Sequence, residues 1–155
     1  MAADRAAIEA ETVAQLQALI RFDTTNPPGL ELALAEHLVA VLADDGISAE
    51  LLTPARERAA VIARLQGNGS KRPVMLLAHM DVVGVERDKW SCDPFGGVIR
   101  DGYLYGRGAI DDKGMLAANL MTMLMLKRNV VDKGIELDRD VVFLATADEE
   151  TGVEF

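Results

Sequence analysis

Cysteine, histidine and basic side chains are all scarce in this 155-residue sequence. With Cys92 as the single cysteine, no intrachain disulfide can form, nothing implies an oxidising compartment, and the thiol reads as a bystander in a loop. Lys and Arg number 16 against 25 Asp and Glu, a net charge of −9. Basic patches that neutralise phosphates are missing, which argues against nucleic acid and against an anionic membrane surface as partners. Part of the acidity could instead bind metal. Long hydrophobic runs are also missing: the apolar stretch near Met115 to Leu126 is shorter than the roughly 20 residues a membrane span needs. Met1-Ala2-Ala3-Asp4-Arg5 leads into Glu9, Glu11 and Gln15, not into a continuous apolar segment, so it does not read as a secretion signal. A cytoplasmic protein is the expectation. There is no internal repeat and no low-complexity tract.

What is present is apolar and periodic. Half of the residues are hydrophobic, enough for one core and a single globular unit. Ile8, Val13, Leu16, Leu19 and Ile20 fall near helical spacing between Asp4 and Phe22 and predict a surface helix with one buried stripe. Thr24-Thr25-Asn26-Pro27-Pro28-Gly29 must break it, because each proline lacks an N–H and restricts the residue before it. A second helix is predicted from Glu31 to Ala43, closed near Gly46, which can take the left-handed cap conformation. His37 falls on the charged face of that helix beside Glu36 and reads as solvated.

Ile47 to Leu52 and Ala59 to Leu65 read as strands. Val74-Met75-Leu76-Leu77-Ala78 does not alternate, which suits a strand covered on both faces. Gly97 to Tyr105 predicts a tight hairpin around Asp101-Gly102, and this argues against a purely parallel sheet. Gly106 and Gly108 allow a sharp turn before Asp111. Lys113 to Lys127 is apolar nearly all round, so it predicts a helix inside the fold with its methionines as core filler. The last strand, Asp140 to Thr146, delivers Asp148-Glu149-Glu150.

The chemistry is concentrated at the ends of these segments. His79 is the first polar residue after one apolar run, the acidic triplet follows another, and Asp111-Asp112 precedes the buried helix. Strand ends place side chains at the rim of a sheet, where open α/β folds bind ligands. Carboxylates and imidazole are donors for zinc or harder divalent cations, and a shared carboxylate can bridge two ions about 3.5–4 Å apart. In His79-Met80-Asp81, residues two apart on an extended backbone share a side, so Asp81 can orient the imidazole and fix its tautomer. Glu149 and Glu150 are adjacent, so in extended geometry they diverge. One can bind a metal while the other takes a proton from water, and the residues alone leave open which. Each piece also has a plain alternative: a capped turn at His79-Met80-Asp81, a solvated charge run at Glu149-Glu150, and a helix cap at Asp111-Asp112, a role expected of Asp112 in any case.

Taken together the motifs resemble a known family. Leu77-Ala78-His79-Met80-Asp81-Val82-Val83, Trp90-Ser91, Asp93-Pro94-Phe95-Gly96-Gly97, Gly106-Arg107-Gly108-Ala109-Ile110-Asp111-Asp112-Lys113-Gly114 and Asp148-Glu149-Glu150-Thr151-Gly152 are similar to the M20 zinc amidohydrolases and exopeptidases. Arg21-Phe22-Asp23-Thr24-Thr25-Asn26-Pro27-Pro28 matches the family's N-terminal segment. The resemblance implies an α/β/α sandwich around a mixed sheet, the zinc-exopeptidase-like catalytic domain. It implies that His79 binds one metal, Asp111 bridges both and Glu150 binds the other. Glu149 would be the general base, Asp81 would hold His79, and the bond between Asp111 and Asp112 would be cis. The implied reaction is attack of a metal-held hydroxide on the amide carbonyl of an N-acyl amino acid or short peptide, with two zinc ions, or cobalt or manganese, as cofactor.

The resemblance also implies further ligands, an acid beyond Glu150 and a late histidine, and a lid or dimerisation domain through which the full-length protein could form a homodimer. None of these falls within residues 1–155. The expectation is therefore an N-terminal portion of the catalytic domain, with weak metal affinity, little hydrolysis of its own and an exposed sheet edge that favours association. Two other readings stand beside it. One is a non-catalytic truncated remnant that acts through metal or partner binding. The other is a two-metal phosphoesterase, less favoured because only Arg107 and Lys113 lie near the acids to hold a phosphate.

Overall fold

The computed structural model describes residues 5–151. Helix α1 (Arg5–Ile20) and helix α2 (Leu32–Asp44) are followed by strands β1 (Ala49–Ala55), β2 (Arg58–Leu65) and β3 (Val74–His79). After a short 3₁₀ turn at Arg87–Lys89 come β4 (Val98–Arg100), β5 (Tyr103–Tyr105), helix α3 (Lys113–Asn129) and β6 (Val141–Thr146). The main sheet has the order β1-β2-β6-β3. β1 with β2 and β2 with β6 run antiparallel, whereas β3 and β6 run parallel. This is an α/β fold on a mixed sheet, as expected. The reason differs from the expected one: the β4–β5 hairpin forms a separate two-stranded sheet, and β2 makes the main sheet mixed.

Alternation along the strands divides the sheet into two faces. Ala59, Val61, Ala63 and Leu65 of β2 and Val141, Phe143 and Ala145 of β6 share one face and are buried in a core with Leu34, Leu38 and Leu42 of α2 and Leu116, Leu120, Met123 and Leu124 of α3. Buried Met121 and Met123 serve as core filler, but the expectation fails at Met115, which is 53% exposed, and Met125 is only partly buried. On the other face Ile62, Val142 and Leu144 are only partly covered, and Met75 and Leu77 of β3 are 56% and 53% exposed. Among the described residues, then, only one face carries a helical layer. Among the described residues β3 lies at the edge of the sheet with one face open, so the expected covering on both sides is not seen there.

Local chemistry explains the chain reversals. After α2, the N–H of Gly46 bonds to the Ala43 carbonyl at 2.8 Å and that of Ile47 to the Leu42 carbonyl at 2.9 Å. Gly46 sits at φ +69°, the left-handed closure expected of it. Before α3, Gly108 takes φ +82°, and a Cβ there would lie 2.9 Å from Val82. His37 is a second correction. It is half-buried, its ring centroid is 5.3 Å from that of Phe22, and burial pulls its pKa down. None of the described helices is long and apolar enough to cross a membrane.

Candidate metal centre

The parallel pair β3–β6 aligns His79 with Thr146, so His79 and the acidic triplet leave the sheet side by side at the carboxyl ends of adjacent strands. Asp111 arrives differently, on the turn between β5 and α3 and not at a strand end. Its bond to Asp112 is cis. One donor atom each from His79, Asp111 and Glu150 lies within 4.8 Å of the others. Nε2 of His79 is 3.1 Å from Asp111 Oδ1 and 3.9 Å from Glu149 Oε2. Asp148 at φ +66° starts a turn through Thr151, so Glu149 and Glu150 are not in the extended geometry that would separate them.

The opposite edge of the imidazole is held from beneath. Nδ1 lies 3.0 Å from the Asp81 carbonyl oxygen and 3.4 Å from its Oδ1. A proton on Nδ1 is thus satisfied, which leaves the Nε2 lone pair toward Asp111 and Glu150. Fully buried Asp81 also accepts the Asn26 side-chain amide at 2.9 Å and the backbone N–H groups of Glu149 and Glu150 at 3.2 and 3.0 Å. One carboxylate therefore joins the histidine to the acidic turn.

The electrostatics follow. The bond to Asp81 raises His79 to about 9, against an opposing push from burial and with further help from Asp111. For Asp81, burial alone would raise the pKa, but the bonds from His79, Asn26 and the Glu150 and Glu149 amides together hold it at about 2. Glu150 is raised, first by burial and then by the charge of Asp111. A cation among these acids would relieve that repulsion and replace the proton on Nε2, so the donor set suits a divalent metal that accepts nitrogen and oxygen.

Several side chains act differently from their sequence reading. Asp112 stands at the N-cap of α3 but makes no side-chain cap; its Oδ2 accepts the backbone N–H of His79 at 3.3 Å. Lys113 is fully buried, donates to the Phe22 carbonyl at 2.6 Å, and is pushed down to about 8 by burial. It cannot reach a phosphate at the rim. Asn26, Glu31, Arg58 and Asp148 form a buried polar group behind the site that sequence reasoning did not assign. The available signal was a charged residue, Arg58, at the head of a strand whose inward positions are apolar.

A cleft of about 300 Å³ opens beside Asp111, walled by Trp90, Tyr105, Arg107 and Ile110. Larger depressions of about 490 Å³ along α1 and 540 Å³ beside β1 and β2 contain none of the clustered donors, so chemistry and not size selects the site.

Comparisons with known proteins identify the family. Residues 75–154 match the model of Peptidase family M20/M25/M40, and the chain belongs to that family. It is 31% identical over 146 residues to N-formyl-4-amino-5-aminomethyl-2-methylpyrimidine deformylase of Halalkalibacterium halodurans, covering 92% of this chain and 33% of that protein. It is 32% identical over 146 residues to a probable succinyl-diaminopimelate desuccinylase of Staphylococcus epidermidis, covering 92% and 34%. Among solved structures, an M20 family metallo-carboxypeptidase from Sulfolobus solfataricus superposes with a TM-score of 0.77 at 27% identity, over 92% of this chain and 32% of that one. The chain thus spans about a third of the length of the curated relatives it matches.

Proposed function

We propose that residues 1–155 are the N-terminal portion of a metal-dependent catalytic domain that hydrolyses an amide or peptide bond in an N-acyl amino acid or short peptide. The observation that carries this reading is the convergence of His79, Asp111 and Glu150 donors within 4.8 Å, with Glu149 Oε2 at the same imidazole nitrogen. His79, Asp111 and Glu150 would hold the metal. Zinc suits nitrogen and carboxylate donors, and cobalt or manganese would accept the same set. When bound, the cations supply a Lewis acid for the carbonyl oxygen and make water acidic enough to lose a proton near neutral pH. Glu149, 61% exposed, can take that proton and return it to the leaving amine. Asp81 keeps the imidazole in one tautomer and orientation.

The deformylase and desuccinylase among the relatives are named for removing small acyl groups. This supports an N-acyl substrate over a long peptide. The test is to express the chain with the remainder of its reading frame and assay N-formyl, N-acetyl and N-succinyl amino acids with added Zn²⁺. Glu149→Gln should lower kcat by 10²-fold or more, in the range expected for a lost general base, while bound zinc measured by atomic absorption stays unchanged. Full activity in Glu149→Gln would sink the assignment.

A further inference from the structure

Behind the acidic turn lies a buried ionic network that the proposed reaction does not use. Arg58 heads β2, and continuing the β2–β6 register beyond Val61↔Ala145 sets it opposite Asp148. Its side chain is 8% exposed. Nε lies 2.9 Å from Oε2 of Glu31, which is fully buried, and Nη2 lies 2.9 Å from Oδ1 of Asp148. Nη1 donates to the Pro28 carbonyl at 3.1 Å and the Asn26 side-chain oxygen at 3.4 Å. The Asn26 amide then donates to both Asp148 Oδ1 and Asp81 Oδ2, at 2.8 and 2.9 Å.

Burying two carboxylates and a guanidinium is a poor route to stability, because apolar residues of the same volume often serve as well or better. What the guanidinium adds is a rigid planar fork that fixes several oxygens at once. The oxygens it fixes matter here. Asp148 holds φ +66°, a conformation that non-glycine residues seldom take, and that bend aims Glu149 and Glu150 back toward His79. Asp81, reached through Asn26, braces the same imidazole from the other side.

We infer that Arg58 is a positioning residue: through Asp148, and through Asn26 to Asp81, it sets the spacing between His79 and Glu150 and so the affinity of this site for a divalent cation. Glu31, Asp148, Asn26 and Pro28, against which Arg58 lies, are not the proposed metal donors, so the effect argued here is relayed. The inference rests on the metal-centre reading above.

The test is titration of the protein, expressed with the remainder of its reading frame, with Co²⁺, followed by calorimetry and by the visible d–d absorption of the bound ion. Replacing Arg58 and Glu31 together, Arg58→Met with Glu31→Leu, avoids stranding Glu31, and Asp148 keeps its bonds from Asn26 and Thr151. The folded double variant should bind Co²⁺ at least 10-fold more weakly and with an altered d–d band. Leu38→Ala, a core change in α2, should lower the melting temperature and leave both readouts unchanged. If the double variant does not fold, Arg58→Lys decides by the same two readouts, because it keeps the charge and loses the fork. Affinity within twofold and an unchanged spectrum in a folded variant would overturn the inference alone, and failure of both variants to fold would overturn it by reducing Arg58 to a fold element. No Co²⁺ binding by the unaltered extended protein would overturn the metal-centre reading and this inference with it.

Discussion

The carboxylates around His79 divide into two groups that differ in nearly every physical respect. Asp81, Asp148 and Glu31 are buried, and each faces cationic or N–H groups. Asp111 and Glu149 are 74% and 61% exposed, and their side chains meet little beyond His79. The first group is paired inside the fold, although burial still raises the pKa of Glu31; the second keeps lone pairs available at the rim. The contrast teaches that the acids which shape the site and those which can bind something in it are different residues, although they interleave in sequence at Asp148-Glu149-Glu150.

The harshest way to break this division is to empty its centre. Asp81→Ala would leave the Asn26 amide, two backbone N–H groups and His79 Nδ1 without their carboxylate acceptor inside the protein. Removing one partner of a buried charged network costs of the order of 3–5 kcal/mol. Chemical denaturation should show a loss of that size, and Asp81→Asn, which keeps the shape and one acceptor oxygen, should lose less. A loss below about 1 kcal/mol would mean that Asp81 is not the joint described here.

Much of this was legible in the sequence, and what was not has a common cause. The helices and strands follow from periodicity, whereas the choice of His79, Asp111 and Glu150 comes from the family resemblance, since the residues alone leave Glu149 and Glu150 open. The Arg58 network does not, because its bonds join residues as far apart as Asn26 and Asp148, and no local pattern reports such a pairing. The apolar run of β3 records a tendency to be buried, and composition does not name the neighbour that would cover the face left open among the described residues. The solvated reading of His37 weighs only adjacent Glu36, whereas Phe22, beyond the end of α1, packs against the imidazole. At Asp112 a plausible local bond, the helix cap, gives way to a longer-range one to His79.

A smaller effect separates the groups by pH. In the metal-free chain His79 is raised from 6.5 to about 9, so its contribution to stability is complete below 6.5 and is lost as pH rises through about 9. Asp81 is lowered from 3.8 to about 2, so its contribution is present above 3.8 and is lost as pH falls through about 2. The two share one interaction and are counted once, at roughly 3 kcal/mol or less. The melting-temperature difference between the chain and His79→Gln, measured with a chelator, should therefore be greatest between 3.8 and 6.5 and shrink above that range. Zn²⁺ affinity should move oppositely, rising with pH as the imidazole proton becomes easier to displace. A difference that does not vary with pH would detach His79 from Asp81.

The smallest expected effect on stability sharpens the division most, because it requires the exposed group to matter for binding and not for folding. Asp111→Asn preserves volume and removes a charge that is 74% exposed. Surface ion pairs are worth about 0–1 kcal/mol, and the Glu150 carboxylate gains from the loss of a repelling neighbour. The melting temperature should therefore hold or rise slightly. Zn²⁺ binding should fall by an order of magnitude or more, since an amide oxygen is a weaker ligand than a carboxylate and cannot neutralise a cation. If Asp111→Asn instead destabilises the chain as Asp81→Ala does, exposure does not distinguish the two groups, and the acids of the site form one cooperative unit.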